Sequence, residues 1–209
     1  MKLNLLLLSL LCLASASAFA HDHAEMLKMQ AEAARAAPSS DSLHNLRAPL
    51  LDQQGKRFTL ADEHGPATLV TMFYGDCQIA CPIVVENVKR TVEATPAAQR
   101  PQLRALLISL NPGVNTPAKL AKLASLHQLP ASTYRFAVSD NESHTRELAA
   151  ALGIKYRRVG KEINHSTRFV VLDHQGRVVA SSDKLSIEPD AAVLAAIQAS
   201  TGATTTHAH

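Results

Sequence analysis

Cys77 and Cys81 have the most direct capacity for chemistry in this chain, because two thiols separated by three residues can act together. They lie in a segment, Tyr74 to Pro82, that follows a nearly continuous apolar run and opens a helical pattern. The exposed amides of a helix start stabilise negative charge, which lowers the pKa of a thiol and favours the metal-binding thiolate. A spacing of four places both sulfurs on one side of a helical turn, close enough for a disulfide or for one shared metal ion.

The pattern around the pair predicts an α/β domain. Nearly continuous apolar runs at 68–74 and 103–110 are typical of strands buried on both faces, and a third strand is expected at 134–138. Helical patterns are found at 82–94 and 140–152, with a last helix at 189–199, and Asn115-Thr116-Pro117 caps a further helix that carries Leu120, Leu123 and Leu126. Two Asp-x-Gln-Gly sequences, beginning at Asp52 and Asp173, indicate hairpins before and after these units. The order is that of a thioredoxin-like mixed sheet with helices on both faces, an extra N-terminal β-hairpin and an inserted strand and helix.

A third metal ligand is expected from His165, which directly precedes the late hairpin. In a sheet of this order, the segment that enters that hairpin faces the cysteine loop, and sites form at the carboxyl ends of the strands. Two thiolates and one imidazole suit a soft ion. Three-coordinate copper(I) fits this set better than zinc, which usually has four protein ligands in a structural site. We therefore predict Cys77, Cys81 and His165 as copper ligands.

Three other interpretations of the two cysteines stay open. A structural disulfide is one, although closing so short a loop removes little entropy from the unfolded chain. A thiol–disulfide oxidoreductase without metal would use Cys77 and Cys81 as its redox pair and would tolerate the loss of His165. A peroxidase-like protein would need a lone thiolate with Arg and Thr around it, whereas Asp76 and Gln78 flank Cys77.

Three motifs occur in order along the chain: the cysteine segment, Leu-Asn-Pro-Gly-Val-Asn-Thr-Pro at 110–117, and Asn-His-Ser at 164–166. With these motifs the chain resembles the Sco/SenC family of copper-binding thioredoxin-fold proteins over residues 43–199. The resemblance implies that Cys77, Cys81 and His165 bind copper. It also implies a role in delivering copper to, or reducing the cysteines of, the dinuclear copper centre of cytochrome c oxidase. The implied partners are a cuproprotein acceptor, such as an oxidase subunit, and a thioredoxin-like reductant.

Four residues depart from the family pattern. Gln78 replaces the proline that commonly follows the first cysteine, and Asn111, Asn115 and Asn164 stand where the family tends to have Asp. Each of these three exchanges keeps a hydrogen-bonding side chain and removes a potential negative charge. The departures leave the predicted ligands in place and change the charge around them.

Residues 1–20 are typical of a secretory signal peptide, with Lys2, an apolar run at 5–14 and Ala18-Phe19-Ala20 as a cleavage site. We expect cleavage after Ala20, a periplasmic location and no membrane anchor after cleavage, because the apolar run is too short to span a bilayer. Lipidation of Cys12 and retention of an uncleaved segment are the alternatives. We expect a mobile arm at 21–40, the folded domain at 41–199 and a disordered, histidine-containing tail at 200–209.

The new amino terminus would begin with His21-Asp22-His23. A free α-amine, two backbone amides and the His23 imidazole can hold copper(II) or nickel(II) in a square plane. Met26 and Met29 follow with thioethers suited to copper(I), and His207 and His209 lie at the other end of the chain. The alternative is that both ends are polar segments without function.

Composition excludes other function classes. A formal net charge of +3 with scattered Lys and Arg, and 4% aromatic residues, argue against a nucleic-acid surface. We expect no turnover of a small-molecule substrate, although the cysteines could cycle between dithiol and disulfide. The predicted function is a copper(I) chaperone, with a metal-free thiol–disulfide oxidoreductase as the alternative. The remaining histidines are expected at the surface: His44, His64, His127, His144 and His174.

Overall fold

The computed structural model describes residues 40–63, 65–75 and 80–202, with the side chains of Ala80 and Cys81 left outside the description. The strands in this part of the chain are Leu50–Asp52 (β1), Arg57–Phe58 (β2), Ala67–Phe73 (β3), Leu103–Ser109 (β4), Tyr134–Ser139 (β5), Tyr156–Val159 (β6), Glu162–His165 (β7), Phe169–Asp173 (β8) and Val178–Ser182 (β9). The helices are Ala80–Ala94 (α1), Pro117–Leu126 (α2), Glu142–Ala151 (α3) and Ala191–Gly202 (α4). No helix among these residues has the length and apolar character needed to span a membrane.

Seven strands form one mixed sheet in the order β2-β1-β5-β4-β3-β8-β9, and β6 and β7 pair separately. Central strand β3 runs parallel to β4 and antiparallel to β8, and all seven of its residues are buried. Because successive side chains of a strand point to opposite faces, both faces of the sheet are covered at its centre. Helix α1 contacts β3 and β4, and α4 contacts β3, β8 and β9. The α/β sheet with an extra N-terminal hairpin agrees with the sequence prediction.

The turns of hairpins β1–β2 and β8–β9 share one geometry. In each, an Asp carboxylate accepts the backbone N–H groups of the residues two and four positions further on, at 2.9–3.0 Å. A glycine then adopts a positive φ, 79° at Gly55 and 74° at Gly176, where a side chain would be strained. The two Asp-x-Gln-Gly sequences therefore mark real turns, as predicted.

His44 differs from its predicted place at the surface. It is 8% exposed and lies against Gly176 in the turn of the β8–β9 hairpin. A Cβ added to Gly176 would overlap the His44 ring and come within 2.7 Å of the Ser42 Oγ. Leu43 donates its N–H to the Gly176 carbonyl at 2.8 Å, so the segment before β1 closes over this turn.

Hairpin β6–β7 is absent from the sequence prediction, which places His165 at the entry to β8. In the structure His165 is the last residue of β7, and β8 begins at Phe169. The hairpin escapes a hydrophobic pattern search because Ile163 is its only buried residue. Its polar side chains hide the alternation that indicates a strand.

Helix α4 continues three residues beyond the predicted end at 199. Thr201 is fully buried, and its Oγ1 donates to the Ile197 carbonyl at 2.8 Å and to the Gln99 Oε1 at 3.1 Å. These contacts place residues 200–202 in the helix instead of in the predicted tail. The rest of that tail, the arm at 21–39 and the signal peptide lie outside the described residues, as does His64.

Candidate metal centre

The cysteine segment connects the central strand to the first helix. β3 ends at Phe73 and α1 begins at Ala80, so Cys81 lies in the first helical turn and Pro82 follows it. Proline is tolerated there because the first turn has no use for its missing N–H. The positive end of the helix dipole favours a thiolate at this position. Cys77 lies outside the described residues and only the backbone of Cys81 is described, so their approach to His165 stays a prediction.

Asn115 supports the backbone that leads into the cysteine segment. A Cβ added to Gly75 would lie 3.2 Å from both the Oδ1 and the Nδ2 of Asn115, so a side chain at residue 75 would crowd this contact. Ser109 fixes the amide by donating its Oγ–H to the Asn115 Oδ1 at 2.5 Å, while its Oγ accepts the Asn111 N–H at 3.0 Å. Ser109, Asn111 and Asn115 are all buried. Two of the departures from the family pattern are therefore buried, hydrogen-bonded and uncharged.

The register of hairpin β6–β7 divides its side chains between two faces. Tyr156 pairs with His165 and Arg158 with Ile163, so these four share one face. Ile163 on that face is buried, and Tyr156 and His165 are half-buried. The inner face therefore lies against the domain and carries the predicted imidazole ligand. The opposite, outer face is exposed and consists of Arg157, Val159, Glu162 and Asn164.

The tip of this hairpin is tied to the carboxyl end of β3. The Tyr74 hydroxyl donates to the Lys161 carbonyl at 3.1 Å, three residues before Cys77 in the chain. The Arg158 Nη2 donates to the Asn111 Oδ1 at 3.1 Å. The hairpin that carries His165 and the strand that leads into the cysteines thus meet at the carboxyl end of β3.

Glu142, the first residue of α3, holds the base of the hairpin. The Tyr156 hydroxyl donates to the Glu142 Oε1 at 3.0 Å, and the Arg158 Nη2 lies 3.8 Å from the Oε2. Burial, together with the hydrogen bond to Glu142 and its negative charge, raises the pKa of Tyr156 to about 12. The phenol therefore remains a donor at neutral pH. A carboxylate in the first turn is also favoured by the helix dipole.

The Ser166 carbonyl favours one tautomer of the neutral His165 ring. Its oxygen lies 3.0 Å from the His165 Nδ1, and because a carbonyl only accepts, this contact favours the tautomer that carries its proton on Nδ1. The lone pair is then on Nε2, the form in which a histidine binds a metal. Ser166 is itself held by Lys155, through its N–H to the Lys155 carbonyl at 2.8 Å and its Oγ to the Lys155 N–H at 3.0 Å. The ring is thus presented from a fixed backbone.

Among the described residues no cluster of three or more His, Cys, Asp or Glu side chains could hold a metal ion. His144 bonds Asp140 at 2.5 Å, and His174 is exposed on the turn of β8–β9. His165 is therefore a candidate ligand only together with the two cysteines that the sequence analysis predicts beside it.

Sequence reasoning missed the contacts that position His165. Glu142, Tyr156 and Arg158 belong to none of the three motifs, and Tyr74 belongs to the cysteine segment but carries no sign of its contact with Lys161. The pairs that these residues form are separated by 14 to 87 residues. Gly160, between Val159 and Lys161, is a sequence signal for the turn of this hairpin. Its φ of 62° in the structure is one that favours glycine.

Comparison with protein families identifies one match, the SCO1/SenC family, whose model covers residues 39–201. None of the curated proteins compared with this sequence matches it significantly. The three motifs that suggested the resemblance all lie inside the matched range.

Solved structures with the same fold include two that contain copper. ScoI of Bradyrhizobium japonicum with copper bound is 22% identical, with a TM-score of 0.56 over 71% of this chain and 94% of that one. ScoI of Arabidopsis thaliana with copper bound is 15% identical, with a TM-score of 0.59 over 72% and 94%. BsSco, a member of the Sco family of cytochrome c oxidase assembly proteins in which a disulfide switch was identified, is 18% identical, with a TM-score of 0.61 over 74% and 91%. The structural likeness establishes the fold, and the family match over residues 39–201 establishes that the chain belongs to the SCO1/SenC family.

Proposed function

We propose that this chain is a copper(I)-binding chaperone that delivers copper to, or reduces the cysteines of, a cuproenzyme such as cytochrome c oxidase. Family membership supports this function, as do two structural relatives that contain copper and a third named for cytochrome c oxidase assembly. Cys77, Cys81 and His165 are the proposed ligands. A thioredoxin-like reductant would keep the two thiols reduced.

The single observation that carries the proposal is the placement of His165. Its imidazole keeps the Nε2 lone pair available, and its hairpin is bonded through Lys161 to Tyr74, at the start of the cysteine segment. Two thiolates and a neutral imidazole form a soft donor set that suits copper(I).

Copper is the cargo in this function, so the site must both hold the ion and release it. The amino end of α1 favours the thiolate form of Cys81. The carbonyl of Ser166 orients the His165 ring, and Glu142 and Asn111 hold the hairpin behind it. Three protein ligands leave one side of the ion open to an incoming ligand from an acceptor.

We also propose that the protein acts in the periplasm after cleavage following Ala20. The signal-peptide features of residues 1–20 and the presence of a thiol pair support this location. Mass measurement of the protein recovered from a periplasmic extract should give a chain that begins at His21. A chain that keeps residues 1–20, or one lipidated at Cys12, would contradict this part of the proposal.

Anaerobic titration of the reduced protein with copper(I), in competition with a chelator, tests the function. The wild-type protein should bind one copper(I) per chain. Cys77→Ser, Cys81→Ser and His165→Ala should each weaken binding by more than the 10- to 100-fold that the loss of an outer-shell partner costs. His174→Ala, which removes an exposed histidine from the neighbouring hairpin, is the matched control and should bind as the wild type does. Unchanged affinity in His165→Ala would refute the three-ligand site.

The second candidate is a thiol–disulfide oxidoreductase without metal. It is favoured by the position of Cys81 at a helix start, where a thiolate is stabilised, and by the disulfide switch identified in BsSco. A reductase should keep its rate of disulfide exchange in His165→Ala, since the imidazole plays no part in that reaction. Measuring exchange and copper binding on the same variant separates the two functions.

A further inference from the structure

The outer face of hairpin β6–β7 has no partner in the described part of the chain. Its residues Arg157, Val159, Glu162 and Asn164 all point away from the domain and are exposed. The inner face, by contrast, is held at Tyr74, Asn111 and Glu142. The hairpin is thus anchored from behind, and its front is available for contact.

This hairpin concentrates positive charge. Residues 155–165 contain Lys155, Arg157, Arg158 and Lys161 against one carboxylate, Glu162, a net charge of +3 that equals the formal net charge of the whole chain. No carboxylate of the described residues forms an ion pair with Lys155, Arg157 or Lys161. Unpaired cations on an exposed face act on an approaching partner through their combined field.

The charge lies beside the candidate copper site. The Lys161 carbonyl accepts the Tyr74 hydroxyl, and the chain continues from Tyr74 into the cysteine segment. Any protein that takes copper from Cys77, Cys81 and His165 must approach the carboxyl end of β3, where the hydrogen bond from Tyr74 places the turn of the hairpin.

Apolar side chains accompany the cations. Val159 on the outer face is 48% exposed, and Val114 is 37% exposed. The hydrogen bond between Arg158 and Asn111 joins the two segments that carry these valines. Interfaces between proteins combine apolar side chains with a polar rim.

We infer that the exposed part of hairpin β6–β7, with Arg157 and Val159 on its outer face and Lys161 in its turn, is the docking surface for an acidic face of the copper-accepting protein. This inference rests on the proposed function. The cations steer the acceptor to the site and set the rate of encounter more than the final affinity. Copper stays in the +1 state throughout: its bonds to Cys77, Cys81 and His165 break as bonds to acceptor thiolates form, and the protons of the acceptor thiols pass to the released cysteines.

Stopped-flow transfer from the copper(I)-loaded protein to the metal-free, reduced soluble domain of cytochrome c oxidase subunit II, from the same organism, tests the inference. The wild-type transfer rate should fall about tenfold between low and high ionic strength, because salt screens charge steering. The double variant Arg157→Glu/Lys161→Glu should transfer about tenfold more slowly at low salt and lose this salt dependence. The matched control is Lys56→Glu/Arg57→Glu, which makes the same charge change at exposed positions of hairpin β1–β2, whose strand β2 is an edge of the seven-stranded sheet.

The possible outcomes distinguish a failure of the docking surface from a failure of the proposed copper-transfer function. Both variants should still bind one copper(I), because neither changes a proposed ligand. Equal transfer rates in the hairpin variant and the control would overturn the docking surface alone. A wild-type protein that binds copper and passes none to the domain would contradict the proposed acceptor, and with it this inference.

Discussion

Two hairpins follow one another in the chain and are held in opposite ways. In β8–β9, every residue of β8 is buried and pairs with the central strand, and Gly176 in its turn lies beneath His44. In β6–β7, only Ile163 is buried, the strands pair with each other alone, and nothing lies within 4 Å of a Cβ added to Gly160. The first hairpin contributes to stability through packing. The second contributes little packing and presents a histidine and a charged surface. Substitutions in β8–β9 should therefore lower the free energy of unfolding, and substitutions in β6–β7 should mainly affect copper binding.

Replacing the turn glycine by alanine should show the largest difference between the two hairpins in the free energy of unfolding. Gly176 and Gly160 both have positive φ, so alanine costs about 1–2 kcal/mol of backbone strain at either position. At Gly176 the new methyl group also collides with His44 and Ser42, which adds about 1–3 kcal/mol. Urea unfolding of the metal-free protein should therefore show a greater loss for Gly176→Ala than for Gly160→Ala. Equal losses of unfolding free energy in the two variants would mean that a side chain is accommodated equally well at residues 160 and 176, which would contradict the packing of His44 against Gly176.

Removing a turn carboxylate should have an intermediate effect. Asp173 is 7% exposed, and its Oδ2 accepts the Arg177 Nη2 at 2.7 Å and Nε at 2.9 Å. Asp173→Asn keeps an acceptor for the backbone but loses the charged pair, so we expect a loss of about 1–2 kcal/mol at neutral pH. The control Asp183→Asn breaks an exposed contact with Arg168 and should cost less than about 0.5 kcal/mol. A loss in the control as large as that in Asp173→Asn would show that packing does not distinguish the two carboxylates.

The same carboxylate makes stability depend on pH. Burial opposes the ionisation of Asp173, but hydrogen bonds from the Arg177 side chain and from the N–H groups of Arg177 and Gln175 outweigh it and hold its pKa below the ordinary value. A lowered pKa in the folded state means that the stabilisation is present in full above the ordinary Asp pKa of about 3.9. It is lost as the pH falls through the folded-state pKa. Unfolding at a series of acidic pH values should show a shallower decline for Asp173→Asn than for the wild type.

The smallest effect is expected in hairpin β6–β7 and should appear mainly in copper binding. Tyr156→Phe removes the hydrogen bond to Glu142 from the residue paired with His165. We expect a loss of about 1 kcal/mol in stability and about tenfold in copper(I) affinity, because an outer-shell contact is lost. Tyr134→Phe, which changes a buried tyrosine of β5, should leave the affinity unchanged. Equal copper affinities for Tyr156→Phe and the wild type would show that Glu142 does not position the hairpin.

The difference between the hairpins also explains how far the sequence could predict the structure. The buried strands β3 and β4 were predicted within a residue of their observed ends, because continuous apolar runs are unambiguous. The Asp-x-Gln-Gly turns were predicted because their residues form the turn by themselves. His165 was predicted at the entry to β8, whereas it is the last residue of β7; the hairpin β6–β7 was missed, since its strands are polar and its anchors come from distant parts of the chain. The partner of Tyr156 lies 14 residues away on α3 and the partner of Arg158 lies 47 residues away, and neither pair has a local signal.

The central claim is that the imidazole of β7 and two sulfurs from the segment between β3 and α1 bind the same ion. X-ray absorption at the copper edge of the copper(I)-loaded protein measures this directly, by counting sulfur and nitrogen neighbours. We predict two sulfurs and one nitrogen in the wild type, and loss of the nitrogen in His165→Ala with both sulfurs kept. An identical spectrum for His165→Ala and the wild type would contradict the account.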